Sequence, residues 1–294
     1  MHHQQWFIKL IPFVFVLLWS TGFIGAKYTL PYIEPFYLLF IRMLMTVAAF
    51  ITLMWWFKAP RLTRAQTFHQ CVSGLLLHGA YLGGVFAAIK WQMPAGLTAL
   101  IVSMQPLLTA VLLFRRDKQS LTLMQCCGLL IGFSGVVVVL YSKGVDGSMT
   151  FSLPMVLAAL GALIGITLGT LYQKRFAGDV NLLSASVVQY SATALLMALL
   201  TYTTESQMID WQWPFVAGML WLVFGLSVSA MLLLLFMIKQ GEATKVASYF
   251  YLVPGVTVIQ AWWLFDEKLA SLAIMGLILS VVGVYLTTVD PARR

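Results

Sequence analysis

Residues 95–136 read AGLTALIVSMQPLLTAVLLF, then the polar knot RRDKQS, then LTLMQCCGLLIGFSGV. Shifted by 148 positions they meet ATKVASYFYLVPGVTVIQAW, a second knot around Asp266, Glu267 and Lys268, and LASLAIMGLILSVVGV. Without gaps, the pairs Ala95/Ala243, Ala99/Ala247, Pro106/Pro254, Thr109/Thr257, Leu121/Leu269, Gly128/Gly276, Leu129/Leu277, Gly135/Gly283 and Val136/Val284 are identical. That is more agreement than so apolar a composition produces by accident. One proline, two glycines and both polar knots coincide at a single register, which is the weak internal symmetry of duplicated membrane carriers.

Working outward, the composition excludes a water-soluble protein. Apolar residues make up 61% of the 294-residue chain and charged ones 10%, and the mean hydropathy is +0.89. A water-facing surface needs more charge, so most of the chain must face lipid or other lipid-facing helices. A net charge of +8 is no nucleic-acid signal here, because the cations sit in short loops between apolar runs. The three cysteines, Cys71, Cys126 and Cys127, lie in apolar segments with neither disulfide nor metal-ligand spacing. The first apolar run lacks a small-x-small cleavage site and is read as a span, not a signal peptide.

A bilayer core takes about 20 apolar residues per helix. On that rule ten spans are expected, over residues 7–29, 35–57, 68–89, 95–114, 121–141, 151–172, 182–202, 213–238, 244–265 and 269–289. The expected fold is therefore all-α and integral to the membrane. Continuous apolar runs exclude a β-barrel, which needs short alternating strands.

Lysine and arginine set the orientation. With the N-terminus inside, thirteen cations fall on the inner side: Lys9, Lys58, Arg61, Arg64, Arg115, Arg116, Lys118, Lys174, Arg175, Lys239, Lys245, Arg293 and Arg294. Only Lys90, Lys143 and Lys268 fall outside, while Lys27 and Arg42 lie within spans. Both termini are thus expected in the cytoplasm. Trp6, Trp55, Trp56, Trp91, Trp211 and Trp213 mark span ends, at the depth of the aromatic belt. Five spans per copy is an odd number, so the second copy is expected upside down relative to the first. The division is residues 1–145 and 146–294. Glycines four apart, at 79 and 83, 128 and 132, and 161, 165 and 169, predict close helix crossings.

The run Trp19-Ser20-Thr21-Gly22-Phe23, then Lys27, Glu34-Pro35-Phe36 and Arg42-Met43, resembles the opening of EamA-type proteins of the drug/metabolite transporter superfamily. Pro106, Pro254 and Phe265-Asp266-Glu267-Lys268-Leu269 resemble that family's pattern at the close of each repeat. The chain departs from it once, with Gln119 where the second copy has Glu267. The resemblance implies ten helices and export or exchange of small metabolites across a bacterial inner membrane. It also implies a central cavity, with helices 1, 3, 4, 6, 8 and 9 moving around it while helices 5 and 10 brace the outside.

Ionisable groups inside lipid are costly and need a reason. Arg42 lies about 12 Å along its helix from the outer end, at ~1.5 Å per residue. Two roles are open to it: holding a carboxylate or phosphate bidentately, or bonding neighbouring hydroxyls and carbonyls as a structural group. Lys27, at the outer end of the first span, either draws anions inward or snorkels to the interface. His78 is near mid-membrane, either a proton-coupling group or a neutral imidazole bonded to a neighbouring helix. Trp19, Tyr81, Gln105, Gln189, Tyr190, Tyr249 and Tyr251 add aromatic and hydrogen-bonding groups at cavity depth. Pro106 and Pro254 are expected mid-helix, as kinks that serve as hinges.

No aspartate or glutamate lies deep in any span. Proton-for-cation exchange through a buried glutamate, as in the related small multidrug exporters, is thereby disfavoured. The leading expectation is a secondary carrier exporting amino acids or related zwitterionic or anionic metabolites. A multidrug or toxic-compound exporter is the alternative, followed by a membrane enzyme or a non-transporting scaffold. No metal cluster, triad or phosphate loop speaks for an enzyme, and neither cofactor nor metal is expected. The expected partners are a small-molecule substrate and the lipid bilayer, with no nucleic acid, the chain acting as a monomer or weak homodimer.

Overall fold

A computed structural model describes residues 2–117, 122–145, 152–176, 180–233, 237, 252–267 and 270–288. Its regular structure is helical, with one isolated antiparallel bridge between Ile33 and Ile209. In order come α1 (His2–Thr29), α2 (Pro35–Trp56), α3 (Arg64–Gly74), a π-helical stretch (Leu75–Ala80), α4 (Tyr81–Lys90), α5 (Ala95–Val102) and α6 (Gln105–Asp117). They are followed by α7 (Leu123–Val145), α8 (Leu153–Phe176), α9 (Leu182–Thr204), α10 (Trp213–Leu220), a second π-helical stretch (Trp221–Ala230), α11 (Val253–Phe265) and α12 (Ser271–Thr288).

Among the described residues seven helical segments are long and apolar enough to cross a membrane: Leu10–Thr29, Pro35–Trp56, Arg64–Lys90, Ala95–Leu112, Leu153–Phe176, Leu182–Thr204 and Trp213–Leu233. Three shorter apolar helices, Leu123–Val139, Val253–Phe265 and Ser271–Leu286, fall within the other expected spans. The outward surface is as apolar as the inside. Leu195 and Leu130 are 76% and 74% exposed at the middle of their helices, which is stable only where lipid covers them.

Local chemistry explains the helix ends. Pro35 opens α2, where its missing N–H costs no bond. Thr63 and Gln66 cap each other reciprocally at the start of α3, and Thr122 and Gln125 do so at α7. The Asn181 side chain accepts from the Leu183 and Ser184 amides to begin α9.

The prolines correct one expectation. Among the described residues, neither Pro106 nor Pro254 sits in the middle of a helix. Pro106 is the second residue of α6, beyond a turn at Ser103 and Met104 in which the Met104 amide donates to the Ile101 carbonyl at 3.1 Å. Pro254 is likewise the second residue of α11. A first-turn proline forfeits no intrahelical bond, so at Pro106 the helix is interrupted at Ser103 and Met104 and resumes at Gln105. The Phe250 carbonyl lies outside the described residues.

The close pairing of α7 with α12 is set by glycines. A Cβ on Gly283 would strike the Gly132 backbone and stand 2.6 Å from the Gly128 carbonyl. A Cβ on Gly135 would stand 2.5 Å from both the Gly276 carbonyl and the Ser280 amide nitrogen. A shift of 148 carries Gly135 to Gly283, Gly128 to Gly276 and position 132 to position 280. Each contact therefore recurs with the two helices exchanged, and partner numbers fall as residue numbers rise, so the helices run antiparallel. The π-helical stretches agree: Leu75–Ala80 maps onto 223–228, inside Trp221–Ala230.

Candidate functional site

Arg42 is two turns into α2 and only 3% exposed. Its Nε and Nη2 both donate to the Ser227 hydroxyl, at 3.2 and 3.0 Å. The guanidinium lies 5.9 Å from the Phe86 ring centroid, with Tyr81 and Tyr190 as electrostatic neighbours. Among the described residues its Nη1 has no hydrogen-bond partner, and neither has the buried Thr46 hydroxyl one turn further along α2. Among the described residues no carboxylate pairs with Arg42; the single ion pair there joins Lys27 to Glu267.

Below Arg42 runs a column of polar and aromatic side chains. Tyr190 on α9 stacks on the His78 ring at 4.3 Å between centroids and on Phe50 at 5.8 Å. His78 Nε2 meets the Gln189 amide oxygen at 3.2 Å, and Gln189 Nε2 donates to Gln70 Oε1 at 2.5 Å. An amide oxygen only accepts, so the imidazole carries its proton on Nε2 in this bond. The π-helical stretch that carries His78 begins beside Gly74, where a Cβ would stand 2.5 Å from the Gln189 carbonyl. The Thr193 hydroxyl donates to the Gly74 carbonyl at 3.0 Å. Such π-bulges re-aim side chains and recur at functional sites.

The expected residues divide accordingly. Arg42, His78, Tyr81 and Gln189 come together. Gln105 stands apart, with its amide donating to Thr170 on α8 at 3.0 Å, and Trp19 packs on Phe15 along α1 at 5.3 Å. Tyr249 and Tyr251 lie outside the described residues. Ser227 and Gln70 were missed. A serine is unremarkable in an apolar span, and Gln70 sits close enough to the span end to read as interfacial.

At the far end of the helices, Lys27 is not a free anion lure. It pairs with Glu267 and lies 4.7 Å from the Phe265 ring centroid. Glu267 also accepts from the Ala95 and Gly96 amides at 3.1 and 3.4 Å, capping α5 from outside its own segment. Beneath it lies a cavity of about 20 Å³, room for one water. Glu205, just past α9, does the same for α2, accepting from the Phe36 and Tyr37 amides at 2.8 and 2.6 Å. Burial pushes the Glu205 carboxyl above its ordinary range, against the opposing pull of those two amides. Glu34 accepts from the Ser206 amide at 2.6 Å, and the Lys90 ammonium donates to the Leu30 and Ile33 carbonyls at 2.9 and 3.2 Å.

The EamA-like transporter family model matches residues 6–141 and, a second time, residues 153–289. The chain belongs to that family. This EamA-like protein is therefore a multi-pass membrane transporter. It is 27% identical over 275 residues to the uncharacterized transporter YvbV of Bacillus subtilis (strain 168), covering 92% of this chain and 88% of the relative. It is 23% identical over 282 residues to a protein of Escherichia coli (strain K12) named "Probable amino-acid metabolite efflux pump", covering 92% and 91%. A crystal structure superposes with a TM-score of 0.66 at 22% identity, covering 95% of each chain, and supports the fold alone. Family and relatives point to transport and not to an enzyme.

Proposed function

We propose that this EamA-like protein is a secondary carrier that exports small zwitterionic or anionic metabolites, amino acids foremost, across a bacterial inner membrane. The carrying observation is Arg42: a guanidinium buried within the helix bundle, partnered by a neutral hydroxyl, with one nitrogen unpaired among the described residues. Burying a cation without an acid costs several kcal/mol, a cost that a substrate carboxylate offsets with a charge-assisted bond. Lys27 is neutralised by Glu267, which leaves Arg42 as the charge that selects the cargo. The Escherichia coli relative's name points the same way.

The carrier works by alternating access between halves 1–145 and 146–294, ten spans in all, with both termini cytoplasmic. Support for the inversion comes from the α7–α12 seam. Two antiparallel helices whose contacts survive exchange of the copies are related by an axis across the helices, not along them. His78 is the proton-coupling candidate, and the helix restarts at Pro106 and Pro254 are the hinges.

The test is counterflow in proteoliposomes with labelled amino acids, organic anions and cationic dyes, with and without a pH gradient. Exchange of amino acids, abolished or uncoupled from pH by His78→Gln, is expected. Uptake confined to cationic dyes overturns the reading.

In this cycle Lys27, Glu267 and the α5 amides close the outer side. Glu267→Gln removes the partly buried ion pair and weakens the cap, a loss of about 1 kcal/mol, or roughly fivefold in the open population. An impermeant maleimide is then expected to label Leu97→Cys about fivefold faster, in a chain whose native cysteines are serines. Unchanged labelling sinks the gate.

A further inference from the structure

The loop joining α2 to α3 holds a cleft whose lining includes none of the residues around Arg42. It measures about 670 Å³ and is lined by Ile51, Met54, Trp55, Trp56, Lys58 and Arg61, together with Ala59. The loop is built rigidly at both ends. The Lys58 amide donates to the Trp55 carbonyl at 3.2 Å and the Ala59 amide to the Met54 carbonyl at 2.9 Å, the paired bonds of a Schellman helix end. Lys58 occupies its left-handed position at φ 49°, where glycine is the unstrained choice. The Pro60 carbonyl is held by the Ser184 hydroxyl on α9 at 2.5 Å, and the reciprocal Thr63–Gln66 cap fixes the start of α3.

This cleft has two chemistries in sequence. Ile51 and Met54 lie on the lipid-spanning length of α2 and form an apolar wall. Lys58 and Arg61 stand past its end, beside indoles that are 78% and 72% exposed. The chain has no aspartate or glutamate between Glu34 and Asp117, and no acid lines the cleft. The left-handed lysine is the informative detail. A lysine at a helix end complements the helix's negative pole, but the strained position puts its ammonium on a fixed backbone beside Arg61.

We propose that this cleft is a binding site for an anionic phospholipid, with the phosphodiester between Lys58 and Arg61, the glycerol against Trp55 and Trp56, and one acyl chain along Ile51 and Met54. An amphiphile with one negative headgroup matches both halves. A free phosphate engages the cationic lip alone, and a soluble peptide has no access to the apolar wall. Basic clusters at the ends of membrane helices take anionic headgroups at about fivefold in affinity per cation.

The test is native mass spectrometry of the full chain in detergent, mixed with equal phosphatidylglycerol and phosphatidylcholine of the same acyl chains. Phosphatidylglycerol adducts are expected to survive activation that strips phosphatidylcholine. In Lys58→Gly/Arg61→Gln the anionic lipid is expected to bind about 30-fold more weakly, with phosphatidylcholine unchanged. Glycine at 58 relieves the left-handed strain, so the variant keeps its fold, read as an unaltered melting temperature in neutral lipid. Equal retention of both lipids overturns the proposal, as does a variant that holds phosphatidylglycerol like the wild type. Displacement of the lipid by millimolar inorganic phosphate also overturns it, reassigning the lip to free phosphate. None of these readouts depends on transport, so the lipid site and the carrier reading fail separately.

Discussion

Arg42→Met is expected to abolish amino-acid exchange in proteoliposomes while leaving the protein as stable as the wild type, or more so. The two halves of that result have different causes. Removing the cation from a desolvated carboxylate costs about 2–5 kcal/mol of binding, some 30-fold to several thousandfold in the exchange rate at limiting substrate. In the substrate-free protein, the same change replaces a guanidinium bonded, among the described residues, to the Ser227 hydroxyl with an apolar chain of similar reach. Such replacements of buried charge are neutral or stabilising. Arg42→Lys keeps the charge but loses the planar fork and should recover less than a tenth of the activity. A structural arginine gives the opposite pattern, with a lower melting temperature and exchange intact; that outcome removes Arg42 from the substrate's path.

The second large effect is on stability. Gly283→Leu forces a side chain into the Gly132 backbone and against the Gly128 carbonyl, atoms that cannot swing aside as a rotamer can. Overpacking against yielding side chains costs about 1–3 kcal/mol. Here the helices must part along the α7–α12 seam, so a fall in melting temperature of about 10 °C is expected, at ~2–4 °C per kcal/mol for chains of this size. Gly135→Leu meets the equivalent obstacles, the Gly276 carbonyl and the Ser280 amide, and should fall by a similar amount. Gly161→Leu is the control: a Cβ there meets nothing within 4 Å, and the melting temperature should hardly move. A Gly283→Leu protein that melts with the wild type would show that the seam does not hold the halves together.

The helices were legible because apolar runs of span length report directly on lipid, whatever packs against them. Arg42 and His78 were legible for the complementary reason, since any ionisable group at that depth is conspicuous. Partners were harder. Nothing in the sequence says that Arg42 on α2 reaches a serine 185 positions away, because hydroxyls in apolar helices commonly bond their own preceding carbonyl, as Thr29 does to Gly25. The partner of Lys27 was not legible because snorkelling is a local argument, whereas its carboxylate comes from the far end of the chain. The prolines were placed correctly in the sequence and wrongly in the helix. Periodicity carries straight across Ser103 and Met104, and the reading took an unbroken apolar run for an unbroken helix.

That interruption has a consequence for how the carrier handles charge. A continuous helix hides its peptide dipoles and presents unpaired amides and carbonyls only at the water. Restarting at Gln105, about halfway along Ala95–Leu112, sets the carbonyl end of one segment against the amide end of the next, with the Ala99 and Ile101 carbonyls taken up by the Ser103 and Met104 amides of the turn. The result is a fixed polarity made from backbone alone. Having no proton to gain or lose, it persists at every pH the cell meets.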